Sequence, residues 1–238
     1  MNVTCLFEQS GTFKHAFERI GHNAIDVDIC NKFGETDVIT NVFDRLTTKN
    51  ETPEDIKFII DLIHSDLIIA FFPCTWFSNF NTDLVKEMEN FKYDMFKTEQ
   101  DIDNYINARR EKYNRAVECL KRLIDLCDTF KIPLIIENPV STEIIKLLGT
   151  PAYTDNNRTL HGDDFKKPTA FYCYGCEISD LDIIQKQLDK KVLSENKGIN
   201  RSLINPVYAD NFVKHINITG YIDITDKEKI LLKYDWGD

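Results

Sequence analysis

The chain has 238 residues, of which 42% are hydrophobic and 29% are charged, as in an ordinary globular protein. This composition excludes a disordered, collagen-like or fibrous chain. The longest purely apolar run, at 67–72, has six residues, so no segment predicts a membrane-spanning helix. The net charge of −10 argues against a sequence-independent nucleic-acid binder, which would need a basic surface.

The seven cysteines are scattered, without the spacing of a disulfide framework. The first residues contain no basic stretch followed by an apolar one, so we expect no signal peptide. Free thiols in a reducing cytoplasm are therefore expected. Cys173 and Cys176 form half of a zinc signature, but no second pair accompanies them, and we expect no metal.

Apolar strand-like segments alternate with amphipathic segments along the first 140 residues. This alternation predicts an α/β protein with a mostly parallel sheet and helices on both faces. The predicted strands are 3–7, 24–29, 66–72 and 132–136, and the predicted helices are 12–20, one opening at 52, and 99–130. Further along, we predict a polar loop at 79–100, a helix at 141–148, a strand at 167–173, and helices at 180–190 and 206–216.

Ligands of such sheets bind beyond the carboxyl ends of the strands. The first of these ends leads into Gly11, where a glycine turn lets the backbone approach a ligand closely. The second ends at Asp28, whose carboxylate is placed to accept hydrogen bonds from ribose hydroxyls. A glycine here also serves as an ordinary turn, and the lack of a G-x-G-x-x-G pattern counts against a dinucleotide cofactor.

Two more strand ends carry reactive side chains. Cys74 follows the most hydrophobic strand, where a thiolate would act as a nucleophile. Glu137 follows the next apolar strand, where a carboxylate is costly unless it is paired or faces a cleft. The alternatives are a buried structural cysteine and an acid that serves the N-terminus of the next helix.

Together these segments resemble the motif series of the DNA (cytosine-5) methyltransferase family. The matching segments, in order, are L-F-E-Q-S-G-T at 6–12, D-V-D at 26–28, F-P-C-T-W-F-S at 72–78 and E-N-P at 137–139, with N-P-V-Y-A at 205–209 similar to the family's last motif. The resemblance implies a Rossmann-like, S-adenosylmethionine-dependent methyltransferase fold in one domain. Residues 1–150 would form the cofactor and catalytic core, and 151–238 a reduced part that completes the sheet and the cofactor pocket.

The resemblance also implies a role for each matching residue. Cys74 would add to C6 of cytosine, Glu137 would act as the acid at N3, and Arg158 is the candidate for the family's arginine motif, which has no clean copy here. S-adenosylmethionine would be bound by Phe7, Glu8, Ser10, Gly11, Asp28, Pro73 and Asn205, and the base by Thr75, Ser78, Asn138 and Pro139.

The family's target-recognition domain is missing, because only about thirty residues separate Thr169 from Arg201. We expect DNA as the substrate, in a bacterial or phage-infected cell, with unpaired cytosines preferred because base flipping costs energy. A partner subunit is one route to target recognition.

The segment 79–100 would close over the base, with Trp76 and Phe80 either stacking on it or packing in the core. RNA or a nucleotide as substrate, or a cofactor-binding subunit or decoy, are the alternatives.

Overall fold

A seven-stranded sheet forms the centre of the molecule in the computed structural model, which describes residues 1–47, 52–77, 98–184 and 203–220, with Lys227 and Lys229. The strands of this sheet are β1 (Asn2–Leu6), β2 (Asn23–Asp28), β3 (Val38–Ile39), β4 (Leu67–Phe71), β5 (Leu134–Pro139), β6 (Tyr153–Asp155) and β7 (Thr169–Tyr174). Their order across the sheet is β3-β2-β1-β4-β5-β7-β6.

All neighbouring pairs from β3 to β5 are parallel, whereas β7 runs antiparallel to both β5 and β6. The chain moves outward from β1 to β2 and β3, and then returns to the other side of β1 with β4. This reversal leaves a crevice at the carboxyl ends of β1 and β4. The fold is the α/β fold that the sequence predicts, a Rossmann-like, mostly parallel sheet with helices.

Helices cover both faces of the sheet. They are α1 (Thr12–Arg19), α2 (Val42–Thr47), α3 (Pro53–Ile63), α4 (Glu99–Phe130), α5 (Ile144–Leu148) and α6 (Pro206–Lys214). Because side chains alternate along a strand, Ile68 packs into the core beneath α2, α3 and α4, whereas Ile69 packs into the core beneath α1 and α6. No helix in the described ranges is long and apolar enough to span a bilayer.

The start of each long helix has a sequence signal. Thr52 and Asp55 form a capping box at α3, and Thr98 and Asp101 form one at α4. A capping box satisfies backbone N–H groups that have no partner within the helix, so it defines where the helix begins. The predicted helix at 99–130 is confirmed to the residue.

The part of the chain after residue 150 departs from the sequence prediction in several places. The strand β6 was not predicted, and the predicted helix at 206–216 ends at Lys214, with Ile216 in a strand. The predicted helix at 180–190 is wrong over its described residues, 180–184, which form no helix and end in an isolated bridge between Ile184 and His161. Their backbone bonds are made to other elements: the Ile184 N–H donates to the Leu160 carbonyl, and the Asp182 N–H donates to Asn211. In addition, β8 (Cys176–Ile178) and β9 (Ile216–Ile218) form a small antiparallel sheet that the sequence pattern does not predict.

Candidate active-site cleft

A cleft of about 340 Å³ opens at the crevice between β1 and β4, within the size range of small-molecule sites. It reaches from the end of β2 to the residues that precede β7. Its lining residues are Phe7, Glu8, Gln9, Ser10, Asp28, Phe71, Phe72, Pro73, Cys74, Thr75, Glu137, Pro139, Lys167, Leu203 and Ile204.

The loop after β1 forms one wall of the cleft and has an unusual backbone. Phe7 has a φ of 60°, in the left-handed region that non-glycine residues seldom adopt. The Phe7 N–H donates to the Val27 carbonyl at 2.8 Å, and its ring packs against Phe72 and Phe43. Gly11, with a φ of 72°, then leads into α1. The loop is thus held in shape by contacts of its own.

Glu8 is turned into this loop. One carboxylate oxygen accepts the Ser10 N–H at 2.6 Å and also the Ser10 hydroxyl. Burial raises the pKa of Glu8, although these hydrogen bonds act in the opposite direction. Glu8 therefore shapes the loop as well as lining the cleft.

The two aspartates of β2 have different environments. Asp28 lines the cleft and accepts the Cys30 N–H at 2.7 Å, and partial burial raises its pKa. Asp26 is fully buried, and neither of its carboxylate oxygens makes a well-formed hydrogen bond. Burial, together with the charge of Glu8, raises the pKa of Asp26 to about 8, while Lys14 opposes the shift. Of the two aspartates of β2, Asp28 is thus the one that a ligand in the cleft can reach.

The opposite wall brings Cys74 and Glu137 into the same cleft. Cys74 begins a single 3-10 turn, Cys74–Trp76, after β4, and Glu137 lies on β5 in register with Phe71. Asn138 is fully buried and donates from Nδ2 to the Phe72 carbonyl at 2.9 Å. This bond joins the carboxyl ends of β4 and β5 and so holds the turn of Cys74 beside β5. Glu137 is only 6% exposed, and its Oε1 has no hydrogen-bond partner.

The cleft gathers most of the candidate residues from the sequence, but not all of them. Nine line it: Phe7, Glu8, Ser10, Asp28, Pro73, Cys74, Thr75, Glu137 and Pro139. Gly11, Asn138, Arg158 and Asn205 are not among the lining residues. Ser78, Phe80 and the segment 79–97 lie outside the described residues.

Arg158 is set back from the cleft. It is buried and forms an ion pair with Asp163. Asn205 caps α6, where its side chain accepts the Val207 N–H at 2.9 Å. Trp76 is half-buried and stacks on Phe43, with ring centroids 4.1 Å apart, so it packs at the rim of the core.

Lys167 is the main lining residue that was not predicted from the sequence. The candidate residues were sought beyond the carboxyl ends of parallel strands, where ligands of such sheets bind. Because β7 is antiparallel to β5, its amino end lies at that same edge, and Lys167 precedes β7 by two residues. The K-K-P run before a strand would have identified it only if the direction of β7 had been known. Gln9, Phe71, Phe72, Leu203 and Ile204 were also missed.

Metal binding has no structural support in the described ranges. No group of three or more His, Cys, Asp or Glu side chains there could hold a metal ion. Cys173 lies in β7, Cys176 is the first residue of β8, and both are free thiols.

Comparisons with known proteins give a distant structural likeness. No protein-family model and no curated protein matches the chain. Among the solved structures that match, one from E. coli is described as a DNA modification methyltransferase encoded within a prophage; it is 16% identical, with a TM-score of 0.39, over 73% of this chain and 46% of that one. The chain thus spans about half the length of that protein.

The buried Asp26 gives a pH prediction for stability. The folded-state pKa of Asp26, about 8, lies above that of an exposed carboxyl. The contribution of protonated Asp26 to the free energy of unfolding is therefore lost as the pH rises from about 4 to 8. Asp26→Asn removes this loss. We expect its free energy of unfolding, relative to wild type, to increase by more than about 1 kcal/mol between pH 5 and pH 8 in urea denaturation.

The matched control is the exposed Asp61 of α3. For Asp61→Asn the difference from wild type should stay within about 0.5 kcal/mol across the same range. A flat or falling difference for Asp26→Asn would show that Asp26 is already ionised in the folded protein.

Proposed function

We propose that this chain is a single-domain methyltransferase that transfers a methyl group from S-adenosylmethionine to C5 of cytosine in DNA. One observation carries the proposal: a single cleft at the switch point of the sheet contains Asp28, Cys74 and Glu137 together. These residues are far apart in the sequence, and each lies at the carboxyl end of a different strand, where ligands of such sheets bind. Residues 151–238 would complete the cleft through Lys167, Leu203 and Ile204.

The residues present fit S-adenosylmethionine. Its ribose hydroxyls need an acceptor, and Asp28 offers a carboxylate at the cleft wall. The buried Oε1 of Gln9 also lacks a partner and belongs to a lining residue. A positively charged sulfonium suits a cleft that contains the carboxyl groups of Glu8, Asp28 and Glu137. When bound, this group supplies an electrophilic methyl.

Cys74 and Glu137 would act on the base. The Cys74 thiolate adds to C6 of cytosine, forming a carbon–sulfur bond and shifting the electron pair of the C5–C6 double bond toward C5, which then accepts the methyl. Glu137, with its unpartnered Oε1, would hydrogen-bond N3 and stabilise the charge that addition creates. Loss of the C5 proton to a base returns an electron pair, the carbon–sulfur bond breaks, and the thiolate is regenerated.

Lys167 is proposed for the role that the resemblance gave to Arg158. Among the described residues that line the cleft, it is the one with a cationic side chain, whereas the Arg158 guanidinium is buried against Asp163. An ammonium in a low-dielectric cleft stabilises negative charge that develops on a pyrimidine ring. Lys167 would therefore hold the ring during addition by Cys74.

The direct test is nucleoside mass spectrometry. DNA and RNA from cells that express the chain, and from cells that express Cys74→Ala, are digested and compared. We expect the deoxyribonucleoside 5-methyldeoxycytidine to increase in the DNA fraction of the wild-type culture only. An increase in RNA would favour the alternative substrate. No increase in any pool, combined with S-adenosylhomocysteine binding, would favour the cofactor-binding subunit or decoy.

Cys74→Ala should abolish turnover and leave the affinity for S-adenosylhomocysteine within about threefold of wild type, because Cys74 is proposed to touch the base. An oligonucleotide with 5-fluorocytosine should form a denaturation-resistant adduct with wild type, since fluorine cannot leave as a proton. Cys30→Ala, which removes an exposed free thiol, is the control and should still form the adduct. An adduct with Cys74→Ala would rule out this nucleophile.

Asp28→Ala should weaken S-adenosylhomocysteine binding by about 10- to 150-fold, since hydrogen bonds to a charged group contribute about 1.5–3 kcal/mol. Isothermal titration calorimetry measures this change directly. Asp26→Asn, on the same strand but outside the cleft lining, is the control and should change the affinity by less than about threefold. The reverse ranking would assign the ribose to Asp26.

Lys167→Met should lower kcat by about 10²–10³-fold, the usual effect of losing one donor that stabilises developing charge. Lys166→Met is a close control, because Lys166 is its exposed neighbour and does not line the cleft. Its kcat should stay within about twofold of wild type. Equal losses in the two variants would point to general attraction of the nucleic-acid backbone.

A further inference from the structure

A buried ion pair lies behind the cleft and has no part in the chemistry proposed above. The side chains of Arg158 and Asp163 are both 2% exposed and pair through the guanidinium Nη2 and the carboxylate Oδ2. Burying two charges is costly, and such a pair is often replaceable by apolar residues without loss of stability. Its presence therefore calls for a role other than stability alone.

Arg158 contacts two elements besides its own turn. Its guanidinium lies over the ring of Tyr208 in α6, 4.7 Å from the ring centroid. Its Nη1 donates to the Thr169 hydroxyl, at the start of β7, at 3.4 Å. The guanidinium thus connects the sheet to the first turn of α6.

Asp163 extends this connection to the residue that starts α6. Its Oδ1 accepts the Asn205 N–H at 3.4 Å, and the neighbouring Asp164 accepts the Asn205 Nδ2 at 2.8 Å. Asn205 in turn caps α6. The two residues that precede Asn205, Leu203 and Ile204, line the cleft.

Close packing at Gly162 fixes the same junction independently. Gly162 has a φ of 105°, and a Cβ there would lie 2.8 Å from Cγ1 of Val207 and 3.3 Å from the backbone nitrogen of Tyr208. The backbone between Arg158 and Asp163 therefore sits directly against the first turn of α6. Only glycine permits this approach.

We infer that Arg158 is a positioning residue for the cofactor end of the cleft. The Arg158–Asp163 pair fixes Asn205 and the start of α6, and through them it sets the position of the wall at Leu203 and Ile204. Arginine is needed because the edge of its planar guanidinium pairs with a carboxylate while the face of the same group lies on an aromatic ring. The ammonium of lysine cannot make both contacts. The inference rests on the proposed function for the identity of the ligand, but its geometric part does not.

The first test is the affinity for S-adenosylhomocysteine of Arg158→Met, Asn205→Ala and the double variant. Each single change should weaken binding by tenfold or more. The double variant should be little weaker than either single one, because both changes break the same connection. In steady-state kinetics the KM for S-adenosylmethionine should rise while kcat stays within threefold. A fall in kcat at unchanged KM, or fully additive effects, would overturn the inference.

Asp164→Ala is the second variant, for the case in which Arg158→Met does not fold. It leaves the buried pair intact and removes the hydrogen bond to Asn205 Nδ2, so affinity should fall several-fold. Unchanged affinity would contradict the inference.

A second readout separates this inference from the proposed function. Hydrogen exchange of the ligand-free protein should be faster at 207–210 in Arg158→Met than in wild type, and unchanged at β1. If wild type binds no S-adenosylhomocysteine but this local change is seen, the proposed function fails and the positioning role holds. If wild type binds and exchange at 207–210 is unaltered, the positioning role fails.

Discussion

The site depends on the reversal of strand order at the centre of the sheet. Because β1 and β4 are neighbours while their connections leave in opposite directions, a crevice opens at their carboxyl ends. A single buried amide holds one wall of that crevice: the Asn138 side chain donates to the Phe72 carbonyl and so keeps the ends of β4 and β5 together. A buried bond of this kind is expensive to leave unmade, so it fixes the geometry of the Cys74 turn.

The charge of the cleft is consistent with the charge of the chain. Of the described residues that line the cleft, three have carboxyl groups, Glu8, Asp28 and Glu137, and one, Lys167, is a cation. Such a surface attracts a small cationic ligand and repels the phosphates of a nucleic acid. Under the proposed function, cofactor capture and substrate capture therefore oppose each other electrostatically. An unpaired base, which reaches the cleft without bringing a full duplex against an acidic surface, reduces that conflict.

The sequence predicted most of the parallel half of the molecule, although not β3 or α2, and less of the rest. Apolar runs and capping boxes predicted β1, β2, β4, β5 and α4, because there the local pattern and the tertiary environment agree. It failed at 180–184, whose backbone bonds go to distant residues. It also did not identify Lys167 as a cleft residue, because the direction of β7 is a property of the sheet and leaves no trace in the pattern of one strand.

The left-handed backbone at Phe7 has a consequence for how the cleft meets its ligand. A non-glycine residue in this region costs about 1–3 kcal/mol, and here the packing of the ring against Phe72 and Phe43 and the hydrogen bond to Val27 offset that cost. The loop therefore has its strained shape before any ligand arrives. A ligand that enters the cleft would therefore meet a preformed loop, so binding would cost little loop entropy and change the backbone little.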